Sequence, residues 1–137
     1  MIAVSVSYLD EGEPGAAIEI AESAAREFPE MLWQSSLPEA IKRLVEDTQA
    51  HQRAEITARD TTGKLVGFVA LVEDDDSHVG ELMGVQWFYV LPEHRGTVGR
   101  RLMRETHKIA KATGYEVMAY THRLGEGRYE INYRRLK

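Results

Sequence analysis

The run GVQWFYVLPEHRGTVGRRLMRETHKIAKATG, from Gly84 to Gly114, leaves the chain few ways to fold. Val85 to Leu91 is rich in aromatic and β-branched residues and reads as a buried strand. Pro92 ends it, because proline offers no N–H to a ladder and pushes Leu91 toward extended backbone. Glu93 to Gly99 is a short loop carrying two glycines and an arginine. A helix then begins near Gly99 and ends at Gly114, placed where a left-handed C-terminal cap belongs. Strand, glycine-containing turn and helix aim a helix N-terminus and several free backbone N–H groups at one point. Such a point binds anions, phosphate above all.

The helix has one apolar face, Val98, Leu102, Thr106, Ile109, Ala110 and Thr113, with Arg100, Arg101, Arg104, Lys108 and Lys111 largely elsewhere. Arg100 and Arg101 fall in the first turn, where the helix dipole disfavours cations. A chain of net charge −5 has put positive charge at an already positive helix end. That local conflict points to function; the plain alternative is a solvated basic face.

Val90-Leu91-Pro92-Glu93-His94-Arg95-Gly96-Thr97-Val98-Gly99-Arg100-Arg101-Leu102-Met103 resembles the acetyl-CoA-binding core of the GNAT superfamily of N-acyltransferases. In that family a strand ending V-x-P-x-x-R-G leads into a loop, Arg/Gln-x-x-Gly-x-Gly/Ala, that holds a pyrophosphate at a helix start. Here only Thr97, Val98 and Gly99 follow Arg95-Gly96, so the loop is one residue shorter and lacks the middle glycine. The resemblance implies acetyl-CoA as cosubstrate and a primary amine of a small molecule, a protein or a modified nucleobase as acceptor, with Arg95, Gly96, Thr97, Val98, Gly99, Arg100 and Arg101 at the phosphates. It also implies that backbone N–H groups around Phe88, Tyr89 and Val90 stabilise the thioester oxygen. The strand there is expected to splay from its neighbour, so that the pantetheine arm pairs with it like an added strand.

A length of 137 residues predicts one domain, 1–137, able to bury a core of its own. The absence of cysteine excludes disulfides, a cysteine nucleophile and thiolate metal sites, and no metal is expected. Direct attack in a ternary complex is therefore favoured over a cysteinyl-acyl intermediate. Met1 to Leu9 has no basic n-region and is too short for a membrane span, so an intracellular, cytoplasmic protein is expected. The overall acidity argues against broad nucleic-acid binding, although Arg100, Arg101 and Arg104 leave a local contact open. Homodimers are common in the family.

The remaining patterns predict an α/β domain with a mixed, mostly antiparallel sheet of about six strands flanked by about three helices. Ile2 to Tyr8 alternates as a half-buried strand. Ala16 to Phe28 is helical until Pro29, and Ser36-Leu37-Pro38-Glu39 has capping-box spacing for a second helix running to about Gln49. Ala54 to Asp60 and Leu65 to Val72 form a hairpin about Thr61 to Lys64. Glu73 to His78 reads as an acidic loop, solvated rather than a calcium loop, whose spacing and glycine it lacks. The central strand follows from near Glu81, then the main helix, then strands over Tyr115 to Thr121 and Arg128 to Leu136. The order β-α-α-β-β-β-α-β-β is that of the family with one departure. The family usually places a helix after the fifth strand, often with a tyrosine that protonates the departing thiolate. His122 to Gly127 is too short and glycine-rich for one.

Acyl transfer to an amine needs a neutral nitrogen, hence a base or a desolvating site. Glu81, at the start of the central strand, is one candidate; the alternative is a surface glutamate. His122, after the fifth strand, is another, histidine being the residue type that titrates near neutrality. Tyr129 and Tyr133 share a face of the last strand and stand in for the missing acid, unless they are core. Leu32 and Trp33, between the first two helices, line the acceptor site by resemblance, or pack on the sheet. A non-catalytic acyl-CoA-binding module is the competing function.

Overall fold

The alternating N-terminal segment forms β1 (Ala3–Leu9) in a computed structural model that describes residues 1–137. The helix expected over Ala16–Phe28 is divided. A 3-10 turn, Ala17–Glu19, precedes α1 (Ala21–Glu27), because Ile20, at φ −117°, leaves α geometry to bury its side chain at 1 % exposure. α2 (Leu37–Gln49) starts on the expected capping box: Glu39 N donates to Ser36 Oγ at 3.3 Å and Ser36 N donates to Glu39 Oε1 at 2.9 Å. Then come β2 (Arg53–Arg59), β3 (Leu65–Asp76), β4 (Gly80–Val90), α3 (Thr97–Ala112), β5 (Val117–Gly125) and β6 (Arg128–Arg135). The six strands lie in sequence order in one sheet, antiparallel throughout except for β4 and β5.

β2 and β3 are the floor of the core and are covered on both faces. α3 presses on one face through Leu102 and Val98. It comes so close to Gly67 that a Cβ there would stand 2.6 Å from Leu102 Cδ1 and would push that side chain aside. The opposite face meets α1 and α2 through Phe68, Ile20 and Leu44, each no more than 2 % exposed. The strand expected to turn only Ala54, Ile56 and Ala58 inward is buried nearly throughout, and it carries an ion pair into the core. Arg53 Nε donates to Glu55 Oε2 at 2.7 Å, and both residues are under 5 % exposed. Arg53 also donates to the Glu13 carbonyl at 2.7 Å, and Glu55 accepts from Ala16 N at 2.8 Å, so the pair anchors the loop before α1.

Three expectations are corrected. Glu73 to Asp76 is strand rather than loop: β3 and β4 stay paired out to Asp76 opposite Gly80. Asp76 Oδ1 then accepts the N–H groups of His78 and Val79, which lets the turn close tightly. α3 begins at Thr97, two residues earlier than expected, because Gly96 takes φ +96° and turns the chain at once into the helix. Thr113, assigned to the buried face of α3, lies past its end and is exposed. As expected, no helix follows β5; the strand continues to Gly125 and turns at Glu126-Gly127 into β6.

Candidate active site

β4 and β5 pair only at Met83 with Met118 and Gly84 with Ala119, and then part. The cause lies in β4. Ala70 faces Trp87 and Leu71 faces Val85, so Gln86 is an extra residue, and such a bulge bends and over-twists its strand. Beyond Gly84 the β5-facing backbone groups of β4 have no strand to pair with. Gln86 Nε2 donates to the Asp47 carbonyl at 3.0 Å, while its Oε1 is buried with no partner.

Two hollows fill the wedge. The first, about 380 Å³, lies between Phe88, Tyr89 and Val90 of β4, the start of α3 at Gly96 and Gly99, and Tyr120 and His122 of β5. The second, about 310 Å³, is lined by Val85, Gln86 and Trp87 of β4 and by Tyr129 of β6. They meet at Phe28, Phe88, Thr121 and Arg123, which border both. The two hollows thus share a border at the point where the strands part.

The first hollow ends on a helix start of the kind that can hold an anion. No side chain caps α3, so its first N–H groups are unspent, and a Cβ built on Gly99 would meet nothing within 4 Å. Gly96 lies beside the Arg100 guanidinium, whose Nη1 would be 3.9 Å from a Cβ there. Thr97 is exposed in the first helical turn. Val98 and Arg101 are drawn elsewhere. Val98 is buried against Gly67, and Arg101 Nη1 donates to the Ile2 carbonyl at 2.8 Å, toward β1.

Arg95 is committed within the protein. Its Nε donates to the Val90 carbonyl at 3.0 Å, its Nη2 donates to Glu27 Oε1 at 2.6 Å, and its guanidinium stacks 5.6 Å from the Tyr89 ring centre. Tyr89 donates to the same Glu27 oxygen at 2.7 Å. The hydrogen bond from Arg95 holds the Glu27 carboxyl below its usual pKa, and burial foremost raises that of Tyr89. Arg95 thus locks the end of β4 to α1.

A second clamp closes the other wall. Glu30 accepts from Arg123 Nε and Nη2 at 2.8 and 2.9 Å, from the Tyr129 hydroxyl at 2.7 Å and from Gly127 N at 3.3 Å. The Arg123 hydrogen bonds, outweighing desolvation, push the Glu30 carboxyl far below the ordinary carboxylate range. Arg123 also covers the Phe28 ring at 4.9 Å. Neither Leu32 nor Trp33 borders a hollow. Trp33 is 61 % exposed, its Nε1 donates to Glu126 Oε2 at 2.9 Å, and its ring rests on Gly127. The segment between α1 and α2 meets the wedge through Phe28 and Glu30 instead.

Of the residues expected to act, His122 and Tyr129 are at the wedge and two are not. Glu81 is exposed at the far end of β4, opposite Asp75, in a separate depression with Thr113 and Tyr115. Tyr133 donates to Asp76 Oδ2 at 2.5 Å, at the β3–β4 turn. The tyrosine pair is not core: Tyr129 is 50 % exposed and Tyr133 39 %. Sequence reasoning missed Tyr120, Glu27 and Glu30. Tyr120 was readable as the second residue after Met118 on one strand face, but the two glutamates acquire meaning only through partners far along the chain. No group of three or more His, Asp or Glu side chains is placed to hold a metal ion, and no helix is long and apolar enough to cross a membrane.

Residues 18–128 match the family model "Acetyltransferase (GNAT) family". Among solved structures, a GNAT family N-acetyltransferase of Escherichia coli in complex with CoA superposes with a TM-score of 0.62 at 19 % identity, covering 99 % of this chain and 82 % of that one. A GNAT family acetyltransferase of Brucella melitensis in complex with acetyl-CoA gives 0.62 at 19 % identity, over 95 % and 87 %. A ribosomal-protein-alanine N-acetyltransferase of Brucella melitensis biovar Abortus gives 0.57 at 22 % identity, over 89 % and 82 %. No curated protein matches the sequence. With the family model spanning most of the chain and the splayed strand pair ending at an uncapped helix start, the chain belongs to the GNAT acetyltransferase family.

Proposed function

We propose that this protein transfers the acetyl group of acetyl-CoA to a primary amine by direct attack in a ternary complex. The observation that carries it is the pair of hollows meeting at Phe28, Phe88, Thr121 and Arg123, one ending on the α3 N-terminus and the other on the α1–α2 side of the sheet. The first hollow takes acetyl-CoA: the α3 N–H groups beside Gly96 and Gly99 hold the phosphates, and the unpaired edge of β4 holds the arm. A backbone N–H near Phe88 to Val90 steadies the carbonyl oxygen as it gains charge. The amine nitrogen bonds to the acetyl carbon, the carbon–sulfur bond breaks and the sulfur leaves as thiolate.

His122, on the wall of the first hollow, accepts the proton the amine sheds. Tyr120, on the same wall, takes the place of the tyrosine that the absent helix would carry and returns a proton to the thiolate. Glu27 and Glu30 act as clamps, each carboxylate holding one arginine and one tyrosine donor. The direct β5–β6 hairpin, with no helix over that edge, favours a second reading, a non-catalytic acyl-CoA-binding module. Thiol release from acetyl-CoA in the presence of primary amines separates the two. Turnover that falls at least tenfold in His122→Ala, with acetyl-CoA affinity unchanged, supports transfer. Tight binding without thiol release for any amine supports the module.

A further inference from the structure

The second hollow restricts the kind of amine that can enter. Five of its eight lining residues are apolar or aromatic: Phe28, Val85, Trp87, Phe88 and Tyr129. The only ionised group among the eight is Arg123, and Glu30 neutralises it with two hydrogen bonds at 2.8 and 2.9 Å. The Glu30 carboxylate also takes the Tyr129 hydroxyl and Gly127 N, and it does not itself border the hollow. The other nearby carboxylate, Glu27, receives Arg95 and Tyr89. The acidic side chains of the β3–β4 hairpin do not border the hollow, and Asp76 is engaged by Tyr133 and by its own turn. The hollow of about 310 Å³ therefore offers aromatic surface and hydrogen-bonding groups, but no free negative charge. A buried cation without a partner is costly, and apolar walls favour flat or branched hydrocarbon.

We propose that the acceptor is a primary amine borne on a compact aromatic or branched apolar body with no second positive charge, the body seated among Phe28, Trp87 and Tyr129. This rests on the acetyl-transfer reading for the reaction, but not for the hollow itself, which is formed in the free protein. Polyamines and amino sugars bearing several ammonium groups are disfavoured by the same chemistry.

The test is a calorimetric comparison of 2-phenylethylamine with spermidine, each titrated into the protein alone and into its CoA complex. Phenylethylamine should bind at least tenfold more tightly. Two variants are made at Thr121, an exposed β5 residue on the border that the two hollows share, and CoA binding by each is measured alongside. Thr121→Trp fills the hollow and should abolish phenylethylamine binding. Thr121→Glu supplies the missing carboxylate and should raise spermidine affinity at least tenfold. Both variants are checked by thermal unfolding to be folded. Spermidine binding as tightly as phenylethylamine to the wild type, no binding of phenylethylamine, or a Thr121→Trp variant that still binds it would each overturn the proposal. Failure of CoA to bind, with the amine preference intact, would strike the acetyl-transfer reading alone.

Discussion

Replacing Gly99 separates what the cofactor loop needs from what the fold needs. Gly99 is the third residue of α3, its φ is not positive, and a Cβ there would meet no atom within 4 Å. The fold therefore has no use for a glycine at this place, and one costs stability within a helix. Gly99→Ala should stabilise by about 0.4–1 kcal/mol, raising the thermal midpoint by about 2–4 °C. Binding moves the other way. Gly99 borders the first hollow at the uncapped helix start, so a larger side chain stands where phosphate oxygens must approach the α3 N–H groups. Gly99→Val would remove one or two charge-assisted hydrogen bonds of about 1.5–3 kcal/mol each. Affinity for CoA should then fall by about tenfold to ten-thousandfold. Calorimetry with CoA, paired with thermal unfolding, reads both quantities. CoA affinity kept within twofold in Gly99→Val would refute the loop as the phosphate site. A lowered midpoint in Gly99→Ala would refute the claim that the fold does not require this glycine.

The buried Arg53–Glu55 pair predicts that Glu55→Ala, which strands Arg53 in the core, costs about 3–5 kcal/mol in urea unfolding, while CoA affinity of the folded fraction is kept. Gly127, at φ +70° with the Trp33 ring where a Cβ would go, predicts that Gly127→Ala destabilises by about 1–3 kcal/mol. Adding Trp33→Ala should recover only the steric share of that loss. The carboxyls of Glu27 and Glu30 are held below their unfolded value of about 4.3, so their stabilisation is complete above that value and is lost progressively as pH falls from it through their lower folded values. Thermal midpoints should therefore drop below about pH 5, and less steeply in Glu30→Gln, as a melt series from pH 7 to pH 3 would show.

What could be read from sequence was local. Pro92, Gly96 and Gly114 mark the ends of β4 and α3 within a residue or two, and Ser36 and Glu39 form the capping box that their spacing announces. The acidic run misled because aspartate is a poor strand former; pairing with Leu82 and Met83 across the hairpin overrides that propensity. The walls of the site were hidden for a different reason. Arg95 meets Glu27 across 68 residues and Arg123 meets Glu30 across 93, and no local pattern marks either partner. Arg95, expected at the phosphates from its motif, borders the first hollow and at the same time ties β4 to α1 through Val90 and Glu27. Glu81 lies at the start of β4 as expected, but the bulge that opens the wedge lies past Val85, toward the other end of the strand.

Whether acetyl-CoA occupies the opening between β4 and β5 is the most direct question, and amide-resolved NMR titration answers it. One-to-one binding in the micromolar range is expected, about −8 kcal/mol, with the largest shifts at Phe88 to Val90 and Gly96 to Gly99. An absence of binding, or shifts gathered instead around Glu81 and Tyr115, would contradict the site.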